Sequence, residues 1–155
     1  MQCDFSLPQR FGLSYINNQG KEVWPIMIHR AILGSIERFI GTLIEHYGGA
    51  FPVWLAPTQA RIIPIKSEHD EYALSVKDDL QKAGVRAIID GRNESLNKRI
   101  REGTIKKVPY LLIVGDKEIL GKTVAVRRYG QGDLGSLDLK EFLKRIRDEV
   151  DSKKI

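Results

Sequence analysis

At residues 110–114 the chain reads Tyr110-Leu111-Leu112-Ile113-Val114, a continuous apolar run of the kind that forms a strand buried on both faces. Strands of this type belong to sheets that are covered by helices on both sides. The run therefore predicts an α/β arrangement in this part of the chain, and the segments on either side of it show how far that arrangement extends.

Strands and helices alternate around this run. Upstream, the pattern predicts a strand at Arg61–Ile65, a helix that begins at Ser67 and ends at Gly84, a strand at Val85–Asp90 and a short helix from Ser95 to Thr104. Downstream, it predicts a strand at Thr123–Arg127 and a helix from Asp138 to Val150, with Glu141 at capping-box spacing. Pro64 argues against a fully paired central position for the first strand. This order implies a mixed sheet with helices on both faces.

A different pattern precedes residue 57. Residues 10–28 read as two strands around the polar turn Asn17-Asn18-Gln19-Gly20, in which Gly20 can take a positive φ angle. A helix is predicted from Arg30 to Tyr47, with Gly48-Gly49 as its end. Because Phe51-Pro52 then begins a connector, the sequence predicts a hairpin and a helix that lead into a separate α/β domain.

The predicted helix Arg30–Tyr47 has an unusual polar side. Isoleucines share one face, and the opposite face collects Gly34, Arg38, Gly41 and Glu45. Each glycine inside a helix costs roughly 1 kcal/mol relative to alanine. Two glycines beside one arginine indicate that a flat ligand or another backbone approaches closely. The alternative is a helix crossing packed through its glycines, with Arg38 solvated.

Length and composition limit the class of protein. The chain has 155 residues, of which 42% are hydrophobic and 29% charged, which suffices for one substantial core but not for two large domains. We expect no membrane association, because no apolar run approaches the roughly 20 residues that span a bilayer. The first residues lack the pattern of a signal peptide, so a cytoplasmic location is expected. The single cysteine, Cys3, cannot form an internal disulfide.

The net charge of +5 is concentrated in one segment. Residues 92–128 contain ten Lys/Arg and four Asp/Glu, whereas the rest of the chain contains fifteen and sixteen. Concentrated positive charge is typical of a surface that binds a polyanion such as RNA. A solvated, lysine-rich surface is the alternative.

Several short motifs resemble one family of proteins. Gly34-Ser35-Ile36-Glu37-Arg38 resembles the third signature motif of class II aminoacyl-tRNA synthetases, and Met27-Ile28-His29-Arg30-Ala31 resembles threonyl-tRNA synthetases in particular. Further stretches are similar to the same family in the same order, so that the resemblance covers essentially the whole chain: Asp4-Phe5-Ser6-Leu7-Pro8, Trp54-Leu55-Ala56-Pro57, Arg92-Asn93-Glu94, Lys107-Val108-Pro109-Tyr110 and Gly115-Asp116-Lys117-Glu118.

The resemblance implies a fold and a function. Residues 1–54 would be the carboxy-terminal piece of a class II catalytic core, a β-hairpin plus helix with the third motif. Residues 55–155 would be an anticodon-binding domain, a three-layer α/β/α unit with a mixed five-stranded sheet. The family, threonine–tRNA ligase, attaches threonine to its tRNA with ATP, and its complete enzymes are expected to be homodimers. The implied role of this stretch is recognition of the anticodon stem-loop of threonine tRNA.

The resemblance also assigns candidate residues for the catalytic reaction. His29 would be one of three protein ligands of a catalytic zinc that binds threonine, with the other two ligands upstream of residue 1. From the residues alone a zinc site is not favoured, because Cys3, His29, His46 and His69 include no pair at i, i+4 spacing. Arg38 would stack on the adenine of ATP, with Ser35 and Gln2 near the substrates.

Those assignments leave the reaction incomplete within this stretch. The first two motifs of the family are absent from residues 1–155. We therefore expect no catalysis, and no bound zinc or Mg-ATP, from this stretch alone; ATP and threonine would bind only with the complete catalytic domain.

A second set of candidate residues lies in the basic segment. By resemblance, anticodon bases would be read by Asn93, Arg101, Glu118 and Arg127, with Lys107 and Lys117 as phosphate contacts. Arginine offers two donors, asparagine donates and accepts, and glutamate accepts, which suits the exposed edges of unpaired bases. Helical periodicity places Asn97, Arg101 and Thr104 on one stripe beside Leu96 and Ile100. Arg127 and Arg128 should point to opposite faces of their strand.

Two other functions stay open from the sequence. The chain could be a free-standing relative of the synthetases that binds tRNA or a partner protein without catalysis. It could also be a small doubly wound domain that binds a nucleotide at the carboxyl end of a strand. No glycine-rich phosphate loop is present to support the second alternative. For each candidate residue, an ordinary surface position is the alternative.

Overall fold

The computed structural model describes residues 1–154 and contains two compact units, one formed by residues 1–42 and one that begins at Leu43. The first unit holds strands β1 (Gln2–Asp4), β2 (Tyr15–Ile16), β3 (Glu22–Val23) and β4 (Met27–His29) and the short helix α1 (Leu7–Arg10). Strands β2 and β3 pair antiparallel around a turn in which Gly20 has a φ of +72°, so the predicted hairpin is confirmed. Strand β1 also pairs antiparallel with β4, an arrangement that the sequence pattern does not indicate.

Helix α2 (Ile36–Tyr47) begins at Ile36 rather than at the predicted Arg30. Gly34 has a φ of +63°, a left-handed conformation that an α-helix does not contain, so its placement on a helical face with Arg38 is wrong. A Cβ at Gly41, which does lie inside α2, would meet nothing within 4 Å among the described residues. Gly41 therefore marks no close backbone contact there. The predicted end of the helix is confirmed, since Gly48 and Gly49 both have positive φ angles.

The second unit is built on a mixed five-stranded sheet, as predicted. Its strands are β5 (Ala60–Pro64), β6 (Ala87–Ile89), β7 (Tyr110–Val114), β8 (Thr123–Arg128) and β9 (Gly132–Asp138). They lie in the order β6-β5-β7-β8-β9, in which β5 pairs parallel with β6 and β7 while β7, β8 and β9 pair antiparallel. The apolar run at 110–114 is the central strand of this sheet.

Helices cover both faces of the sheet. They are α3 (Asp70–Lys82), α4 (Leu96–Ile105), α5 (Asp116–Gly121) and α6 (Leu139–Asp151), and a 3-10 turn at Ser67–His69 leads into α3. Side chains of α3 and α6 pack into the main core on one face, with Tyr110, Leu112 and Val126 from the strands. On the other face, Leu96 and Ile100 of α4 pack against a second cluster that contains Ile63, Val108 and Leu111. The three-layer α/β/α architecture is therefore confirmed.

Helix α4 lies very close to strand β7. A Cβ built at Gly103, which is buried in α4, would come within 2.7 Å of Leu111 Cδ2. Glycine lets α4 approach the sheet at this point, because no larger residue fits without a shift of Leu111.

One expectation at a strand end is wrong. Pro64 does not keep β5 out of the interior of the sheet, because it is the last residue of the strand and lies beyond Ile62, where pairing with β6 ends. The helix predicted from Ser67 opens as the 3-10 turn Ser67–His69, in which the Lys66 N–H donates to His69 Nδ1 at 3.2 Å. The predicted cap Asp138 accepts two backbone N–H groups of α6, and the Ser95 side chain accepts one from α4. No helix among residues 1–154 is long and apolar enough to cross a membrane.

Candidate nucleic-acid interface

The structure divides the ten cations of residues 92–128 into two groups. Six have a hydrogen-bond or ion-pair partner within the chain, and they are Arg92, Lys98, Arg99, Lys107, Arg127 and Arg128. Among residues 1–154 no such partner is found for the other four, which are Arg101, Lys106, Lys117 and Lys122. The surface available to a polyanion is thus narrower than the sequence count suggests. Lys106 and Lys122 are not among the predicted site residues, because internal pairing leaves no signal in a sequence.

Asp90 anchors the loop that carries Asn93. It lies buried at the end of β6, and Arg92 binds it with two donors, Nε to Oδ1 at 2.7 Å and Nη2 to Oδ2 at 2.8 Å. Arg61 Nη1 approaches the same carboxylate at 3.4 Å. These contacts hold the pKa of Asp90 below its usual range, chiefly through the hydrogen bonds from Arg92. Arg92 also reaches Glu102 of α4 at 2.8 Å, which fixes the loop against the helix.

Asn93 borders a cleft at the carboxyl ends of β5 and β6. The cleft has a volume of about 330 Å³, and its lining includes Lys66, Ser67 and Arg99. Arg99 is buried and donates to the Asp90 carbonyl at 2.9 Å and the Ile65 carbonyl at 3.4 Å. The carboxyl ends of parallel strands are where open α/β sheets bind ligands.

The stripe predicted on α4 is confirmed. Asn97, Arg101 and Thr104 are all exposed, while Leu96 and Ile100 beside them pack against the sheet. At about 1.5 Å per residue, the ten residues of α4 span roughly 15 Å of surface. The stripe begins beside the Asn93 loop and ends at a second depression in the surface.

That second depression is a groove of about 170 Å³ that Thr104 and Arg127 line together. Its lining also includes Val108, Leu111, Gly130 and Gly132. Arg127 is half-buried and has a loose ion pair with Asp133, at 3.8 Å. As predicted, Arg128 points to the opposite face of the sheet, where it pairs with the buried Glu149.

The remaining candidates of the basic segment lie apart from these two depressions. Lys117 and Glu118 lie on α5, at the carboxyl end of β7. Glu118 Oε2 accepts the Gly115 N–H at 3.0 Å, so one carboxylate oxygen caps the helix. The Lys107 ammonium donates to the Gly48 carbonyl at the end of α2. Lys107 therefore has an internal partner, unlike Lys117.

In the first unit, Gln2 and His29 are direct partners across strands β1 and β4. His29 Nε2 lies 3.8 Å from Asp4 Oδ2, and hydrogen bonds from the Leu7 and Ser6 N–H groups lower the pKa of Asp4. Ser35 donates to Glu37 at 2.6 Å, which lowers the pKa of Glu37, and accepts weakly from the Arg38 N–H. Arg38 is exposed.

A metal site is not complete within these residues. No group of three His, Cys, Asp or Glu side chains that could hold a metal ion occurs within residues 1–154. His29 supplies one ligand of the kind that zinc prefers, and structural or catalytic zinc sites use three or four. The donor set present does not fit zinc by itself.

Comparison with protein families divides the chain into two parts. The family described as "Anticodon binding domain" matches residues 59–149, and the family described as "tRNA synthetase class II core domain (G, H, P, S and T)" matches residues 1–47.

Individual relatives agree with this division. The chain is 47% identical over 155 residues to a threonine–tRNA ligase from Desulforamulus reducens. The aligned region covers the whole of this chain and 24% of that protein. A solved RNA-binding domain of threonyl-tRNA synthetase from Cryptosporidium parvum has a TM-score of 0.70 and 36% identity, over 96% of this chain and 38% of the other. A prolyl-tRNA synthetase of the same organism, at 22% identity and a TM-score of 0.61, shares the fold over 94% of this chain and 33% of its own. The chain spans about a quarter of the length of the curated relatives it matches.

Proposed function

This chain belongs to the anticodon-binding domain family, in the form carried by threonyl-tRNA synthetases, and we propose that its residues 55–155 bind the anticodon stem-loop of threonine tRNA. On this proposal residues 1–54 are the end of a class II catalytic core. The whole ligase would attach threonine to its tRNA in the cytoplasm, as a homodimer.

The exposed stripe of α4 carries this proposal. It connects the cleft beside Asn93 with the groove beside Arg127, so a single-stranded segment that follows the helix would reach both depressions. Arg101 lies between them, exposed and without an internal partner among residues 1–154. Single-stranded bases are read through their exposed edges, and a rigid helix that carries donors at intervals suits this purpose.

The side chains offered are chemically suited to the bases concerned. Threonine codons require anticodons that end in G and then U. Arg101 and Arg127 present paired donors of the type that read guanine, and Asn93 both donates and accepts. Glu118 keeps one carboxylate oxygen free of the helix cap, so it retains an acceptor for an imino or amino group.

Phosphate attraction would come from the unpaired lysines. Lys106, Lys117 and Lys122 lack internal partners among residues 1–154, whereas Lys107 already binds the Gly48 carbonyl. We therefore assign the principal phosphate contact on α5 to Lys117, with Lys107 in a secondary role.

Titration of a fluorescent anticodon stem-loop at two salt concentrations tests this assignment. Arg101→Ala and Asn93→Ala should each cost about 1 to 3 kcal/mol for the matching loop, and little for a loop in which the G and U are replaced. Lys117→Ala should weaken both loops alike and reduce the salt slope by about one. Lys144→Ala, an exposed lysine on the opposite helical layer, is the matched control and should change neither affinity.

Equal weakening of both loops by Arg101→Ala and Lys117→Ala would reduce this surface to a non-specific electrostatic patch. Equal affinity of the unaltered chain for both loops would contradict anticodon recognition itself.

The proposal for residues 1–54 concerns the complete enzyme. There Arg38 would stack on the adenine of ATP, Ser35 and Gln2 would lie near the substrates, and His29 would be one zinc ligand among others supplied from outside these residues. The zinc would bind the amino and hydroxyl groups of threonine. Because the first two motifs are absent from residues 1–155, threonine-dependent exchange between ATP and pyrophosphate should stay at background for this chain. Exchange above background would contradict the assignment.

A further inference from the structure

Helix α5 carries Lys117 and Glu118, yet few packing contacts of its own fix its position on the sheet. It has six residues, none of them buried, and Leu120 is 87% exposed. A helix this short is not stable through its own hydrogen bonds. Contacts from neighbouring elements must therefore fix it.

We propose that His69 and Tyr72 are positioning residues that clamp α5 at its two ends and so orient Lys117 and Glu118 for anticodon reading. This inference rests on the proposed function. It adds two residues from α3 and its leading turn to the recognition surface, although neither would contact RNA.

The first contact of the clamp joins His69 to Asp116, the first residue of α5. His69 is 2% exposed, and its Nε2 lies 3.0 Å from Asp116 Oδ1. His69 Nδ1 accepts the Lys66 N–H at 3.2 Å, so in the neutral ring the proton lies on Nε2 and is donated to Asp116. The Lys66 N–H, two residues after the end of β5, thus sets the tautomer and the ring orientation of His69.

The second contact joins Tyr72 to Thr123, the first residue of β8, which lies two residues beyond the end of α5. The Tyr72 hydroxyl donates to the Thr123 carbonyl at 2.9 Å. Lys122, between the helix and Thr123, has a φ of +51°, which ends α5 and turns the chain into β8. Residues 69 and 72, at the end of the 3-10 turn and the start of α3, therefore contact both ends of α5.

The turn before α5 is closely packed as well. A Cβ at Gly115 would come within 2.6 Å of Ile65 Cδ1, so this turn lies directly against the end of β5. The Gly115 N–H also binds Glu118, so a displacement of Asp116 would move the carboxylate of Glu118 with it. The clamp and the cap together determine where that carboxylate points.

Variants at the exposed end of the clamp test it with little risk to folding. The Asp116 side chain is 75% exposed, so Asp116→Ala should leave the chain folded. Asp116→Asn keeps an accepting oxygen, and His69→Gln keeps a donor near the position of Nε2. Tyr72→Phe removes only the hydroxyl. Asp148→Ala, an exposed carboxylate on α6, removes the same charge elsewhere and is the matched control.

Two measurements are needed, and the first requires no RNA. Amide hydrogen exchange at residues 116–122 should become about three- to tenfold faster in Asp116→Ala and in Tyr72→Phe, while exchange in α4 is unchanged. The second is the ratio of affinities for the matching stem-loop and for one with an altered U. That ratio should fall about three- to tenfold in Asp116→Ala and recover in Asp116→Asn, with His69→Gln close to the unaltered chain.

Unchanged exchange in Asp116→Ala or in Tyr72→Phe would overturn that contact of the clamp, and unchanged exchange in both would show that no clamp exists, whatever the RNA does. Faster exchange with an unchanged affinity ratio would overturn the positioning role. If the unaltered chain did not distinguish the two loops, the proposed function would fail instead, and exchange would still decide whether α5 is clamped.

Discussion

Glu149 is a carboxylate buried on α6, and two side chains of the sheet surround it. The Tyr110 hydroxyl donates to Glu149 Oε2 at 2.7 Å, and Arg128 pairs with the other oxygen. The Arg128 guanidinium also lies 5.3 Å from the centre of the Tyr110 ring. Burial, followed by the hydrogen bond to Glu149, raises the pKa of Tyr110 to about 12. This triad joins α6 to the central strand.

The raised pKa of Tyr110 predicts a loss of stability at alkaline pH. Below about pH 10, the ordinary pKa of tyrosine, both the folded and the unfolded chain keep the proton. Between about pH 10 and 12 the unfolded chain loses it first, so the free energy of unfolding falls by about 2 kcal/mol. Tyr110→Phe should cost about 1.5 to 3 kcal/mol at pH 9 and clearly less at pH 11.5, as measured by urea unfolding.

Tyr129→Phe provides the control for this comparison. Tyr129 lies beside Arg128, and its hydroxyl has no hydrogen bond within residues 1–154. Its removal should change stability little at either pH. A cost of Tyr110→Phe that stayed constant from pH 9 to pH 11.5 would contradict the raised pKa.

For single residues, the sequence indicated the candidate side chains of the site but not their partners. The resemblance pointed to Asn93, Arg101, Glu118 and Arg127, and periodicity alone placed Arg101 on the exposed stripe of α4. Neither signal revealed that Lys107 binds the Gly48 carbonyl. Partners that are distant in the sequence leave no local pattern, so which cations remain available is visible only in three dimensions. The roles of these residues in base reading stay predictions.

At the scale of elements, the strands and helices with strong periodicity or clear capping residues were predicted accurately. The buried run at β7 and the capped helices α4 and α6 lie within a residue or two of their predicted bounds. Helix α5 gave no signal, because a six-residue helix with a glycine at its N-cap and no buried face has no period to detect.

The sequence pattern did not locate strand β9, the fifth strand that the resemblance implied, for a different reason. It contains Gly132 and Gly135, and its partly buried leucines, Leu134 and Leu137, are three residues apart rather than two. The irregular register of β8 between Ala125 and Arg127 accommodates this spacing, since a bulge changes which side chains face the core. A regular alternation was therefore never present in the sequence.

At the scale of the whole molecule, burial is distributed very unevenly. Every buried hydrophobic residue lies between Val53 and Ile146, whereas Pro8 is the sole buried residue among residues 1–42. Large apolar side chains in that first unit are exposed, among them Phe5, Phe11, Tyr15, Ile16, Trp24, Ile26 and Ile28. Exposed large apolar side chains in this number are typical of a segment that packs against other protein. This fits the match of residues 1–47 to one part of a larger core domain.

The uneven burial predicts the order of proteolytic cleavage. Trypsin should cut first at Lys21, Arg30 and Arg38, because few buried contacts protect the backbone there. The fragment that begins at Phe39, after the cut at Arg38, should persist in mass spectra of the digest because it contains the buried core. A digest in urea, where all sites are equally open, controls for the intrinsic preference of the protease. Cleavage within α4 or α6 at the same early times would contradict this difference in stability.

The missing side chain at Gly103 has a consequence for how such a surface could be altered. Helix α4 rests on Leu111 with nothing but a hydrogen between them, and the stripe that faces outward is carried on the same helix. The absence of a side chain at Gly103 thus sets how closely α4, and with it the exposed stripe, lies to the sheet. A methyl group at position 103 would require a shift of the Leu111 side chain or of α4, and a shift of α4 would move Arg101 relative to Arg127 with neither residue changed. On the proposed function, Gly103→Ala would then change the affinity for an RNA loop although none of the proposed contact residues is altered.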